Sequence, residues 1–408
     1  MRSSTFIIVR IILFAGLVVI TLYQLRVAIT AQTVYSGVAT NKAIRKYQTD
    51  PRLLVEYGKE EISQGDHENA REWLQKALRT NPVYIPAWLT LAELENDAGN
   101  IDQALQILEY LNELMEDVLR WRWEKTMLAY LLGREDIVQA DLSWLLQQKN
   151  LTWQTKQKVL NFAFSLWPEP DELLKKIGHE NCIPIFLHAL HIKNLAAASF
   201  FWTKADHAQL ETTQVLQYMN LLIYNKNIDA AALIWREYYP TAALLYNGDF
   251  SLPQLNSGFG WRIWKKALDD RDIECTLENQ NTKKTALHLH FKGEKNINLY
   301  HIRQIIPLPA GQTFTLSGEM RSKALSTDQR PLLEILGRDC LLRVTSEMVE
   351  PDQDWTPFSF SFVVPEECQQ GVLIRFRRFP SQKIDSLIKG DFWITNLSLK
   401  KTPSVTPQ

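Results

Sequence analysis

Residues 51–111 constrain the fold more than any other stretch, because there the chain repeats itself. A shift of 34 residues lays Leu54 on Trp88, Tyr57 on Leu91, Gly58 on Ala92 and Gly65 on Gly99. It also lays Ala70 on Ala104, Leu74 on Leu108 and Ala77 on Leu111. Each half reads as a helix, a Gly-Asp or Gly-Asn turn and a second helix, the period of a stacked helical-hairpin array. The residue types fit that geometry. Small residues at Gly58, Ala70 and Ala77 let paired helices approach, and Leu54, Tyr57, Trp73 and Leu74 fill the space beside them. Pro82 cannot continue the second helix and ends the unit. A single hairpin cannot bury its apolar face, so such units stack and leave a groove for a partner.

Over residues 51–116 the sequence resembles the tetratricopeptide repeat. "GDHENAREWLQKALRTNP" is similar to the second half of one repeat, and the next copy keeps Trp88, Leu91, Gly99 and Ala104. It departs at Leu111, where the family prefers Ala, and at Glu116, where it prefers Pro. The resemblance implies a protein partner held in the repeat groove, and no catalysis.

Composition narrows the rest. A formal net charge of -1 over 408 residues, without a basic block, argues against nucleic acid as the main partner. The four cysteines, Cys182, Cys275, Cys340 and Cys368, form no C-x-x-C pair, so neither a zinc site nor a disulfide framework is indicated. One bridge among the last three stays open.

Phe6 to Leu25 is interrupted only by Arg10 and Gln24 among strongly polar residues, and is long enough to cross a bilayer as a helix with Arg10 snorkelling to the headgroups. We read residues 1–30 as a retained single-pass anchor. A cleaved signal peptide is the rival, with Ala31 a poor cleavage point, and a buried helix is the third reading. Flanking charges do not decide orientation. Residues 31–47 read as a helix-compatible neck, and Asp50 before Pro51 as a helix N-cap.

Residues 48–240 read as one α-solenoid whose middle repeats have drifted. Gly133 keeps the 34-residue register, Ala140 and Trp144 fall two residues late, and "NIDAAALIW" sets Ala231 on Ala104 and Trp235 on Leu108. Helices are expected over Trp153–Leu166, Ile183–Trp202 and Thr212–Tyr224. After Tyr246 short alternating segments predict an antiparallel jelly roll over residues 244–401, ahead of a disordered tail at 402–408. Its expected strands are Thr285–Phe291, Tyr300–Ile306, Thr313–Arg321, Leu332–Leu336, Leu341–Val344, Thr356–Val363, Gly371–Phe379 and Asp391–Leu399. The fold class is therefore multidomain: an N-terminal transmembrane helix, a helical solenoid, then an antiparallel β-sandwich.

"LLYNGDFSLPQLNSGFGWRIW", "RQIIPLPAGQTFTLSGEMRS" and "GDFWITNLSLKK" resemble galactose-binding-like domains, including the carbohydrate-binding modules of polysaccharide enzymes. The resemblance implies a sandwich that binds sugar outside the cytoplasm, which favours an inner-membrane protein of a bacterial envelope with its bulk periplasmic. The family's structural calcium lacks its usual acids here, because Ser251 and Thr395 stand where Glu and Asp are usual. We assign no cofactor and no metal. Sugar binding needs a flat aromatic face rimmed by hydrogen-bonding groups. The candidates are Trp261, Trp264 and Tyr300 for stacking, Gln304 by its match to a cleft-lining Gln of the relatives, and Arg303, Arg321 and Arg375 for hydroxyls or carboxylates. Trp261 is also a core position in many relatives, and Trp355 and Trp393 are expected between the sheets.

Two features of the sequence bear on catalysis. His288-Leu-His290 with Glu294 matches the His-x-His-x3-Glu of cupin metal sites, but its flanking glycines and second segment are absent. Glycoside hydrolysis needs two suitably separated carboxylates, for which Glu319 and Glu334 are examples without a motif. The reading is a non-catalytic scaffold of surface-polysaccharide assembly or export, docking a protein through its repeats and a polysaccharide through its sandwich. A pure protein-assembly factor is the alternative, and a glycan-active or metal enzyme the next.

Overall fold

The computed structural model describes residues 49–241, 243–280 and 284–402. The expected anchor, the neck and most of the tail lie outside them. Among the described residues, no helix is long and apolar enough to cross a membrane. No strand of the described residues lies before Arg262, and past that first strand a five-residue helix, Lys265–Asp269, precedes the remaining strands.

The first helices carry out the repeat. They are α1 (Pro51–Gln64), α2 (His67–Thr80), α3 (Ile85–Asp97) and α4 (Ile101–Leu114). Asp50 caps α1 by accepting the Arg52 N–H at 3.0 Å. A Cβ on Gly58 would sit 2.9 Å from Leu74 Cγ, so only glycine lets α1 and α2 close to this distance. Ala70, Leu74, Ala77 and Ala104 are wholly buried, and Leu91 nearly so. Each such Leu contributes about 1.5–3 kcal/mol by leaving water. Pro82 follows α2 directly, and its carbonyl accepts the Trp88 indole N–H at 2.8 Å. That tryptophan packs on Tyr110 of α4, the second helix of its own hairpin.

α5 (Arg122–Leu131), α6 (Glu135–Gln147), α7 (Trp153–Leu166), α8 (Pro170–Ile177), α9 (Cys182–His191), α10 (Leu195–Trp202), α11 (Thr212–Tyr224) and α12 (Ile228–Tyr238) follow. α9 and α10 correct the single helix expected over Ile183–Trp202: the chain turns at Lys193, with φ 57°, and Asn194 caps α10. The turn itself explains the fading register. Gly65, Gly99 and Gly133 sit in the left-handed region where each hairpin turns. Beside each, the next residue's N–H bonds back to the carbonyl five positions earlier, as Asp66 does to Glu61. The same closure recurs at Lys193-Asn194 and Lys226-Asn227, with lysines in the left-handed conformation. The hairpin persists after the glycine that marks it in sequence is gone.

Contacts divide the chain into two compact units, one up to Pro184 and one from Ile185 onward. The division falls within α9, well ahead of the switch from helices to strands. In the second unit the last hairpin packs on the opening loop of the sandwich. Trp235 meets Tyr246 and Phe259 edge-on, and Asn220 of α11 bonds to Ser257, Gly258 and Arg262.

The sandwich has two five-stranded antiparallel sheets, ordered β1-β4-β9-β6-β7 and β2-β3-β10-β5-β8. The strands are β1 (Arg262–Ile263), β2 (Ile273–Gln280), β3 (Lys284–Lys292), β4 (Ile302–Ile306), β5 (Thr313–Lys323), β6 (Leu332–Gly337), β7 (Arg343–Thr345), β8 (Gln353–Val363), β9 (Val372–Arg377) and β10 (Lys389–Lys401). Each of the eight expected segments overlaps a strand, Leu341–Val344 only over its last two residues, because β7 begins at Arg343. β1 is too short to alternate visibly; β2 does alternate, with Ile273, Cys275 and Leu277 set against Glu274, Thr276 and Glu278, and is an addition to the expected strands. Inward residues such as Leu289, Ile302, Leu316, Ile335, Ile374 and Phe392 form one core. Cys340 and Cys368 are joined by a disulfide that ties the β6–β7 loop to the β8–β9 loop.

Candidate functional site

Antiparallel register brings one row of charges together across the first sheet. Arg262 on β1 faces Arg303 on β4, Arg303 faces Arg375 on β9, and Arg375 faces Glu334 on β6. Directly opposed residues leave a sheet on the same side, so all four project from its outer face. Glu334 is fully buried beneath its partners: Arg343 of β7 donates to Oε1 at 2.8 Å and Arg375 to Oε2 at 2.5 Å. Arg377, two residues along β9, stands 3.9 Å from the same carboxylate.

Arg303 lies over the ring of Trp264 with its guanidinium carbon 4.3 Å from the centroid. Tyr300 stacks on His301 at the start of β4, and Arg377 covers Phe379. Trp264 and Tyr300 are 39% and 38% exposed, in contrast to the other tryptophans of this sandwich described below. Four of the predicted residues, Trp264, Tyr300, Arg303 and Arg375, thus gather at one sheet face.

The others do not join them. Trp261 is core: it is buried against Phe250 and Phe376, and its indole N–H is spent on the Asn247 carbonyl. Gln304 points inward beside Ile302 and Ile306, with its amide donating to the Tyr246 and Phe259 carbonyls. It pegs the opening loop instead of lining a cleft. Arg321 lies on β5 in the other sheet, over Trp393. Trp393 itself is not between the sheets but on the outer face of the second sheet, stacked under His288.

The arginine row repels itself. Burial is the main cause that lowers the affinity of Arg303 for its proton, with Arg375 beside it adding to the effect. Arg262 is lowered in the same way by burial and then by Arg303 and Arg338. The Nε atoms of Arg262, Arg303 and Arg377 and Nδ1 of His301 are buried without hydrogen-bond partners. Sequence reading passed over Arg262, Arg338, Arg343 and Arg377, because register across strands is invisible in one chain. The Arg-x-Arg of residues 375–377, alternating within a strand, was the available signal.

The second sheet's outer face holds the His288–His290 pair. Both imidazoles converge on one oxygen of Asp391, at 2.9 and 2.8 Å, and His288 also meets Glu278 at 2.6 Å. Burial raises the Asp391 pKa, but the hydrogen bonds from His290 and His288 outweigh it, and the net shift is downward. Among the described residues only Asp339, Cys340 and Cys368 bring three potential metal-ligand atoms together, and there the two sulfurs are bonded to each other. The cupin-like reading of His288, His290 and Glu294 gains no ligand set from this geometry. The calcium of the resembled domains does not fit either: Thr395 is buried with its hydroxyl on the Thr285 carbonyl, and Ser251 brings no charge. Glu319 and Glu334 lie on different sheets, and both hydrogen-bond other side chains, Asn396 and the arginines respectively.

Residues 61–121 match the tetratricopeptide repeat family. No curated protein matches the chain. Among solved structures it is similar to a family 4 carbohydrate-binding module at 19% identity, covering 39% of this chain and 99% of that one, with a TM-score of 0.27. A family 16 carbohydrate-binding module is similar at 17% identity, covering 38% and 99%, with a TM-score of 0.28. A family 22 xylan-binding domain from Paenibacillus barcinonensis is similar at 11% identity, covering 38% and 91%, with a TM-score of 0.26.

Proposed function

We propose that this protein is a non-catalytic adaptor that docks a protein through its tetratricopeptide repeats and holds a glycan chain on the outer face of the β1-β4-β9-β6-β7 sheet. The observation that carries this reading is the pairing of two exposed aromatic rings, Trp264 and Tyr300, with half-buried hydrogen-bond donors at one sheet face. An aromatic plane receives the apolar side of a pyranose, and fixed guanidiniums take its oxygens. A groove between stacked hairpins gives the repeats their protein partner. Residues 1–30 anchor the chain in a bacterial inner membrane, with the bulk on the periplasmic side. The Cys340–Cys368 bridge supports that placement, since such bonds persist in oxidising compartments. The setting is assembly or export of a surface polysaccharide, where a tether makes two weak sites act together.

The test is titration of the full chain, in detergent, with a panel of neutral and acidic polysaccharides while following tryptophan fluorescence. Saturable binding that Trp264→Ala and Tyr300→Ala each weaken supports the reading. Silence with every polymer, or binding indifferent to both substitutions, removes the glycan role and leaves a protein-assembly factor.

A further inference from the structure

We infer that the sheet face takes an acidic glycan, a polymer of uronic-acid type whose carboxylates are received by Arg262 and Arg303 while its rings lie on Trp264 and Tyr300. This rests on the glycan-binding reading above and adds the charge of the ligand to it.

The argument is one of compensation. Arg262, Arg303, Arg338, Arg343, Arg375 and Arg377 crowd this end of the sheet. The carboxylate within the row is Glu334, and both its oxygens are already taken, by Arg343 and Arg375. Arg303 has no ion pair among the described residues, and its Nε is buried without a partner. Arg262 is held by Asn220 and the Gly258 carbonyl, neutral acceptors that leave its charge in place. Arg338 donates to the Gln370 carbonyl, again a neutral group. Holding like charges half-buried is costly unless something negative completes the site. A neutral sugar offers only hydroxyls. A carboxylate offers the bidentate geometry that a guanidinium fork matches, in charge-assisted bonds about twice as strong. The aromatic rings at the same face favour a carboxylate borne on a sugar ring over a purely phosphate-tracking surface, because such a ligand uses both features at once.

The experiment compares polygalacturonate, alginate and hyaluronan with the same polymers after chemical reduction of their carboxyl groups, together with neutral xylan and β-glucan and with duplex DNA. The protein is the full chain in detergent. We expect at least one acidic polymer to bind, to lose about tenfold or more in affinity on carboxyl reduction, and to lose about 10- to 100-fold with Arg303→Gln. Arg303→Lys should recover only part of that loss, and Arg321→Gln on the opposite sheet should change nothing. Equal affinity for an acidic polymer and its reduced form, or for neutral xylan or β-glucan with Arg303→Gln silent, overturns the acidic inference and leaves glycan binding standing. Silence with every polysaccharide overturns both. DNA binding as tight as the best polysaccharide, unaffected by Trp264→Ala, overturns the inference in favour of a plain polyanion surface. Arg303→Gln leaves every hydrogen bond and ion pair given above intact, and an unchanged thermal transition separates a lost contact from a lost fold.

Discussion

The two outer faces of the sandwich both carry clustered charged groups and handle them in opposite ways. On the β2-β3-β10-β5-β8 side, Glu278, His288, Asp391 and His290 form a closed chain of hydrogen bonds, and Arg321 spreads over Trp393. Each of these charges has an answering group within the fold. On the β1-β4-β9-β6-β7 side one buried glutamate answers three arginines, and Arg303 and Arg262 are left to each other. The difference teaches that charge alone does not mark a site. What marks it is charge the fold has gathered and not neutralised, beside aromatic rings it has left exposed.

Removing the one internal counter-charge should have the largest effect. Glu334→Gln leaves Arg343, Arg375 and Arg377 facing a neutral amide, and we expect a loss of roughly 3–5 kcal/mol in unfolding free energy by urea denaturation. A loss below about 1 kcal/mol would mean that solvent already screens the row, which weakens the contrast between the faces. Next comes the covalent tie beside this face. Cys340→Ser with Cys368→Ser frees a loop of sequence separation 28, worth roughly 3–4 kcal/mol by chain entropy. Calorimetry should show the transition of the sandwich fall, and glycan affinity should fall with it because Arg338 sits two residues from Cys340.

The opposite face gives the smaller effect. Asp391→Asn removes the acceptor shared by two imidazoles and should cost about 2 kcal/mol at neutral pH, without touching glycan affinity. Because folding lowers the Asp391 pKa below its ordinary value of 3.8, its contribution is present above that pH and is lost as pH falls through the lowered value. The substituted protein should therefore show a flatter acid limb in stability against pH. A change in glycan affinity with Asp391→Asn would join the two faces into one site and break the comparison.

Much of this was legible in the sequence because it depends on short spacings. The glycines at 65, 99 and 133 declare the hairpin period, since each occupies a left-handed turn. At Lys193 and Lys226 the same turn is made by residues that carry no such signature, so the later hairpins fade while the structure continues. Strand segments announced themselves by alternation; β1 escaped through brevity, whereas β2 alternates and carried a readable signal. Part of the site was legible and part was not, for the same reason. Trp264, Tyr300, Arg303 and Arg375 were singled out as residue types suited to sugars, but Arg321 is equally suited and lies on the wrong sheet. Gln304 and Trp261 were assigned by likeness to related domains, and here the core claims both. Which side of which sheet a residue occupies depends on pairing between strands some seventy residues apart, as for Arg303 and Arg375.

The most direct measurement is hydroxyl-radical footprinting of the full chain with and without a bound polysaccharide, read residue by residue by mass spectrometry. We expect strong protection of Trp264 and Tyr300 and none at Leu277, which is exposed on β2 of the other sheet. Protection at His288 and His290 with Trp264 and Tyr300 still oxidised at the free rate would place the glycan on the other sheet and contradict that expectation.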